Sequence, residues 1–369
     1  MICLLRGDLS LRFFVQSVAL FVALTASSTA QAFMLLQDEL FPRAHFSEMF
    51  LARSVQFLNA HLLSTVGVDA VETPSNEQTE KRIFAALGVA TQAAFTVGEK
   101  LRFDMRANAL RSIASTEVTE NSGWKKSESA SELVAAAVAR FALNDGLRVG
   151  GGATWVLRPA AVETFEFAQE LARTEYSPYN LLAPEFMFSK ENGSGWSAGL
   201  GWRPKATRQR SFRRDAASEF TEFNEDVVLD EQWSAGVVAQ LQNSRQLSLD
   251  VNLHGVGETQ IRDPKTGTTN DDGSRRRYEL SGLLGLGDTG SHKMSFGLGY
   301  QSIGYTDQGN VSPQSIPLWT LLIRDELKWN DLNARLDALF GYGTDTQSLP
   351  DLNAHYRRII VSVQAGVLF

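Results

Sequence analysis

The 369-residue sequence has one cysteine, Cys3, placed ahead of an apolar run near the N-terminus. If that run is removed on export, no thiol remains, which excludes a disulfide, a thiolate metal site and a cysteine nucleophile. Histidines are also scarce, five in all. Only His254 is placed by alternation on one strand face with a hydroxyl and a carboxylate, those of Ser248 and Asp250. No nucleophile motif accompanies it, so neither catalysis nor a cofactor or metal is expected. No sign of charge dominates: 35 basic against 42 acidic residues leave −7, which argues against a nucleic-acid partner. Beyond the N-terminal run there is no apolar stretch of the roughly twenty residues that a transmembrane helix needs. An exported chain of this kind is either soluble or crosses a membrane as a closed barrel, whose strands need only about ten alternating residues.

What is present at the N-terminus reads as an export signal. Arg6 and Arg12 form a charged start, residues 13–24 an apolar run, and Ala30-Gln31-Ala32 a small-x-small cleavage site. Residues 1–32 are therefore expected to be a signal peptide and the mature chain to begin near Phe33.

From about residue 62 onward the sequence alternates with period two. Leu332, Ala334, Leu336, Ala338, Phe340 and Tyr342 share one face, while Asn333, Arg335, Asp337 and Gly341 share the other. Leu101, Phe103, Met105 and Ala107 alternate in the same way with Arg102, Asp104, Arg106 and Asn108, and Leu247, Leu249, Val251 and Leu253 with Ser248, Asp250, Asn252 and His254. An apolar face for lipid and a polar face for a watery interior is the pattern of an antiparallel transmembrane β-barrel.

Short turns are expected at Gly98-Glu99, Asn144-Asp145-Gly146, Asn192-Gly193-Ser194, Asn243-Ser244, Asp288-Thr289-Gly290 and Asn330-Asp331, all rich in residues that tolerate hairpin dihedrals. Between them lie long connections near 114–130, 159–179, 204–228, 258–275, 305–316 and 344–355. Short turns face the periplasm and long loops the cell exterior in such barrels. Counted back from a last strand at 355–369, the alternation reaches residues 83–95, a descending strand. An even strand number requires an ascending partner, and residues 62–71, with Ser64, Val66, Val68 and Ala70 on one face, supply it. About fourteen strands result, with twelve and sixteen as the neighbouring even counts. Pro184 and the out-of-pattern Asp325 are read as marks of bent or bulged strands. Residues 61–369 form the barrel in this scheme. Residues 33–60, with Pro42 ahead of Phe46, Met49, Phe50, Phe57 and Leu58, form an amphipathic helix that either plugs the lumen or lies as an arm at its mouth.

Trp319 and Trp329 share the lipid-facing parity of one strand ten residues apart. At about 3.3 Å per residue and a tilt near 40°, that is roughly 25 Å, the height of the apolar band between two aromatic girdles. Trp196, Trp202 and the terminal Phe369 are assigned to the same belts. Ile359, Val361, Val363, Ala365, Val367 and Phe369 fall on one face of the last strand, and this resembles the C-terminal strand by which the barrel assembly machinery recognises its clients. Inward positions include Arg102, Asp104, Arg106, Asp250, Asn252, Glu279, Arg324, Glu326, Arg335, Asp337 and Arg358. They form either a polar conduit that biases solute passage or a salt-bridged filling. Arg208, Arg210, Arg213 and Arg214, with Arg275, Arg276 and Arg277, are candidates to meet lipopolysaccharide phosphates. For the first group, neutralisation by Asp215, Glu219, Glu222 and Glu225 is the competing reading.

A fourteen-stranded barrel preceded by a separate N-terminal segment resembles the long-chain fatty-acid and hydrocarbon transporters of the outer membrane, whose N-terminal hatch blocks the lumen. The likeness is one of architecture; that family's Asn-Pro-Ala hatch motif is missing here, and no binding residue carries over. The expectation is an outer-membrane channel or transporter for small solutes, passive or gated by residues 33–60. A structural or surface-interaction barrel and a hydrophobic-substrate uptake barrel are the alternatives. Membrane lipid, lipopolysaccharide and the assembly machinery are the expected partners, with the solute left unidentified.

Overall fold

Alternating segments rich in β-branched and aromatic residues pair along almost the entire chain. The computed structural model describes residues 57–368, apart from short connecting stretches of which 263–268, 307–313 and 346–353 are the longest. Twenty strands form a single sheet whose neighbours are antiparallel. The first four are β1 (Phe57–Thr73), β2 (Gln78–Val97), β3 (Leu101–Thr119) and β4 (Trp124–Asn144). Six pairs follow, each a single path across the wall broken once: β5 (Leu147–Arg158) with β6 (Ala161–Phe167), β7 (Glu170–Tyr176) with β8 (Tyr179–Asn192), β9 (Trp196–Arg203) with β10 (Ala206–Ala216), β11 (Glu219–Leu229) with β12 (Glu231–Gln240), β13 (Gln246–Val256) with β14 (Thr259–Arg262), and β15 (Thr269–Asp272) with β16 (Ser274–Asp288). The last four are β17 (His292–Thr306), β18 (Gln314–Trp329), β19 (Leu332–Asp345) and β20 (Ala354–Leu368). The sheet closes where β1 pairs with β20, from Asn59 opposite Leu368 to Glu72 opposite His355. Fourteen paths therefore make the barrel.

The breaks have a chemical cause at three of the six sites. Pro159, Pro178 and Pro204 stand between the two segments of their paths, and a proline cannot donate to the ladder. Beyond each break the chain pairs anew: β4 leaves β5 for β6, and β7 joins β10. The connections expected at 159–179, 204–228 and 258–275 thus contain the hairpins β6–β7, β10–β11 and β14–β15 rather than irregular loop. Likewise, β3 and β4 run on to Thr119 and from Trp124, so little of 114–130 is loop.

All six short turns fall where the sequence places them. Gly98 (φ 64°) and Gly146 (φ 80°) adopt the left-handed backbone that these turns demand. The strand-distortion reading of Pro184 and Asp325 is corrected. The ladder runs unbroken through Asp325 on both sides, and Asp325 simply faces outward. Pro184 pairs regularly with Ala153 on β5, while β9 begins pairing with β8 only at Phe186, so the missing N–H breaks no ladder bond there. The register shifts in the barrel wall lie instead near periplasmic turns, at Ala142/Asn144 and Gly285/Asp288. Phe57 and Leu58, read above as helical, already belong to β1. The export signal, residues 33–56 and Phe369 lie outside the described residues.

Candidate functional site

Inward and outward residues separate cleanly. Leu332, Leu336, Phe340 and Tyr342 on β19 are about half exposed on the outer face, whereas Asp337 between them is fully buried. Trp319 and Trp329 are 64% and 69% exposed, pointing outward ten residues apart, as a girdle pair requires. Tyr300, Trp319 and Tyr342 are direct cross-strand neighbours on the outer face. A second ladder stacks Phe186, Trp202 and Trp233 at 5.4 and 5.3 Å between ring centroids. The indole N–H groups of Trp202 and Trp233 both donate to one Glu231 carboxylate oxygen, at 3.0 Å each. Trp196 is exposed at the opposite, periplasmic end of β9. These belts put the lumen on the other face of every strand.

Most of the charges expected in the lumen point there, and many of them neutralise one another. Asp104 accepts from Arg102 Nε at 3.0 Å and from Arg140 Nε at 2.6 Å. Asp337 does the same between Arg324 Nε and Arg335 Nε, both at 2.8 Å. Arg106 donates to Glu185 at 3.1 Å, and Glu185 also accepts from the Thr154 hydroxyl. These three clusters lie within about seven residues of the periplasmic ends of their strands. Glu326 stands opposite both Arg335 and Lys293 in the same zone. Asp250 and Asn252 are buried on the inner face of β13, where Asn252 opposes Glu279 of β16. Higher up, Arg358 grips Asp69 with two bonds of 2.7 and 2.9 Å, and Arg158 grips Glu132 with two of 2.9 and 2.5 Å. The Arg358–Asp69 pair is bidentate, one bond to each carboxylate oxygen, whereas Nε and Nη2 of Arg158 share a single Glu132 oxygen.

Sequence reasoning missed the acceptors and donors Asp69, Glu132, Arg140, Arg158 and Glu185, and it missed an apolar lining altogether. Leu63, Phe84, Leu110 and Ile360 form one inward cluster, extended by Leu339. Val134, Val156, Tyr179 and Leu181 form another. Phe84 lies flat on the wall because Gly67 stands beneath its ring, where a Cβ would collide with Phe84 Cζ. Most of these residues sit six to thirteen positions above the periplasmic ends of their strands, above the three carboxylate clusters. The lumen is thus zoned, with a floor of paired charges and an apolar belt over it. The parent segments hid this, because stretches such as Leu133-Val134-Ala135-Ala136-Ala137-Val138 are apolar on both faces.

The basic runs are placed differently from one another. Arg208 is exposed and donates to Asn180 at 3.0 Å. Arg210 is buried, its guanidinium 4.2 Å from the Tyr176 ring centroid and 5.3 Å from that of Tyr179, so it is not presented outward. Arg213 and Arg214 stand opposite Glu222 and Thr221 across the β10–β11 hairpin, which bears on the neutralisation reading at the first of them. Arg275, Arg276 and Arg277 begin β16, opposite Val256, Gly255 and His254.

Outside the membrane band, Lys126 bridges Glu128 and Glu163 at 2.5 and 2.8 Å, and Tyr176 donates to Glu163 at 3.1 Å. Burial alone would lower the Lys126 ammonium, but the two carboxylates outweigh it and hold it above its ordinary value. This network ties the β6–β7 hairpin to β4.

No family model and no curated protein sequence matches the chain. Solved structures do. A Pseudomonas aeruginosa FadL homologue aligns with TM-score 0.59 at 9% identity, covering 84% of this chain and 90% of that one. The toluene transporter TodX of Pseudomonas putida aligns with TM-score 0.59 at 10% identity over 88% and 92%. The toluene transporter TbuX of Ralstonia pickettii gives 0.55 at 8% identity over 88% and 92%. Named roles among them are transport and not catalysis. At such identities the likeness is one of fold, and that fold is a closed antiparallel barrel, here of fourteen strands.

Proposed function

We propose that this protein is an outer-membrane channel through which small hydrophobic molecules diffuse toward the periplasm. The observation that carries the reading is the apolar belt of Phe84, Leu110, Val134, Val156 and Leu181 above a floor where Asp104, Glu185 and Asp337 are held by arginines. A belt of this kind offers a weakly polar solute a surface that water competes for poorly. The ion-paired groups below it hold one another rather than a passing ion. The toluene transporters that share the fold are in keeping with this. The choice departs from an open polar conduit because the lumen charges pair off instead of lining a stream.

Toluene entry into intact cells, followed by a cytoplasmic reporter in a host with a restrictive outer membrane, tests it. Wild-type protein should speed entry over a vector control. Leu110→Asp, which puts a carboxylate into the belt, should cut that gain at least fivefold. Planar-bilayer conductance should stay low. Large steady ion currents without toluene entry would instead establish a hydrophilic pore, and neither activity would establish a structural barrel. Deleting residues 33–56 tests the accompanying proposal that this segment gates the lumen: entry or conductance should rise, and an unchanged rate removes the gate.

A further inference from the structure

The two sides of the lumen differ in chemistry. Val237, Val251, Leu280 and Leu298 are exposed on the outer face, so the positions that alternate with them face inward. There Ser234, Asn252, Glu279 and Gln301 stand in one cross-strand row over β12, β13, β16 and β17. Gly236, Asp250, Ser281 and Gly299 form the row below it. Neither row contains an apolar side chain. Ser234, Asp250, Asn252 and Gln301 are buried, while Glu279 and Ser281 are only half-buried. In the row above, Gln232 donates to Ser234 Oγ at 3.1 Å, and that row continues through His254 and Arg277 to Ile303. The two polar rows end at Gly201 and Gly199 on β9 and at Leu318 and Thr320 on β18. Buried Val238 and Leu283 bound them below.

This polar wall lies opposite the apolar belt. Of the fourteen paths, β3 is the third and β15–β16 the tenth, while β4 is the fourth and β17 the eleventh. The members of each pair are seven paths apart, half of the circumference. Their heights agree as well. Leu110 on β3 and Glu279 on β16 each stand nine residues from the periplasmic ends of their strands, and Val134 on β4 and Gln301 on β17 stand ten and nine from theirs. A lumen that passed only bare hydrocarbon would gain nothing from such a wall, because polar groups in an apolar setting cost free energy unless they are hydrogen-bonded. The wall combines hydroxyls, amides and two carboxylates, with Arg277 in the row above, so it suits an uncharged hydrogen-bonding group better than an ion of either sign. An ionised carboxylate donates no hydrogen bond and accepts at about four positions, so the group that it takes from a solute is an O–H or N–H.

We propose that the preferred solute is an uncharged hydrophobic molecule bearing a hydroxyl, a phenol or an alcohol. Its hydrocarbon part follows the belt of Leu110 and Val134, and its O–H donates to the half-buried Glu279 on the opposite wall, beside the Ser281 hydroxyl. A bare hydrocarbon uses the belt alone. The inference names the solute class of the transport reading and rests on that reading.

Toluene, p-cresol and p-toluate share a ring and a methyl group and differ in carrying no polar group, a hydroxyl or a carboxylate. Entry of each into intact cells is followed by a cytoplasmic reporter and expressed as the gain over a vector control. With wild-type protein the gain for p-cresol should exceed that for toluene at least fivefold, well within the discrimination of a site built to hydrogen-bond a hydroxyl, and p-toluate should gain least. In Glu279→Leu/Ser281→Ala, checked for the heat-dependent gel shift of a folded barrel, the p-cresol gain should fall at least fivefold while the toluene gain stays as it was. A toluene gain equal to or above that of p-cresol, a p-toluate gain above that of p-cresol, or an undiminished p-cresol gain in the double variant overturns the proposal. No gain for any of the three removes the transport reading itself. The comparison of solutes decides the matter on wild-type protein even if the double variant does not fold.

Discussion

Asp337→Ala should be among the most damaging single substitutions in the barrel wall. The carboxylate is fully buried, as is Arg324, and it divides its two oxygens between Arg324 and Arg335 at 2.8 Å each. Without it, two guanidinium groups on neighbouring strands face each other across a gap with no shared anion. Breaking a buried pair by removing one partner costs about 3–5 kcal/mol, and because Arg335 retains 17% exposure toward the lumen, the lower half of that range is expected. Asp337→Asn keeps one acceptor oxygen and should lose about half as much. The double variant Arg324→Met/Asp337→Leu removes the buried charge with its partner and should recover most of the loss, since apolar replacement of a whole pair is often near neutral. Urea unfolding in lipid vesicles, followed by tryptophan fluorescence and by the gel shift between folded and unfolded forms, gives the values. A midpoint for Asp337→Ala within about 1 kcal/mol of wild type would refute the reasoning, and so would a double variant as unstable as the single one.

Two further outcomes follow from other parts of the wall. Asp325 faces lipid four residues from Trp329, with His292 at 3.6 Å as its neighbour. Asp325→Leu should raise stability by about 1 kcal/mol in the same titration, the cost of a carboxylate at shallow depth in the apolar band; a loss would mean that the His292 pair is net stabilising. At Lys126 the raised ammonium value sets the sign of a pH effect. Its contribution is complete below the ordinary lysine range near 10.4 and disappears as pH rises through the higher folded value. Cleavage of the β6–β7 hairpin by an alkaline-active protease should therefore accelerate above pH ~10.4 in wild type. In Lys126→Met, cleavage should be fast throughout, and identical profiles for the two proteins would exclude the latch.

Much of the architecture was legible in the residues. Strand alternation is a local property with period two, so the outward faces of β3, β13 and β19 were readable residue by residue. Turn chemistry is equally local, and the six periplasmic turns fell at their glycine, asparagine and aspartate clusters. The ten-residue interval between Trp319 and Trp329 is a sequence property, and both side chains point outward as their shared parity requires. Three prolines lay in view at 159, 178 and 204, yet what the chain does after each depends on which distant strand receives it.

Composition, turns and alternation by themselves determined a closed membrane barrel, about fourteen strands and the side of the wall that most residues face. The tertiary structure decided which inward charges meet. Asp104 finds Arg140 on the next strand, and Glu185 finds Arg106 from β3 across β4 and β5, although they are 79 residues apart in sequence. It also decided that an apolar belt lies over a floor of ion-paired side chains, and that β2–β4 are the longest run of neighbouring strands. The physical reason is the stagger of the barrel. Each strand is offset along the axis relative to its neighbour, and that offset, summed around the closed wall, fixes the height of every side chain while leaving no trace in the pattern of any one strand.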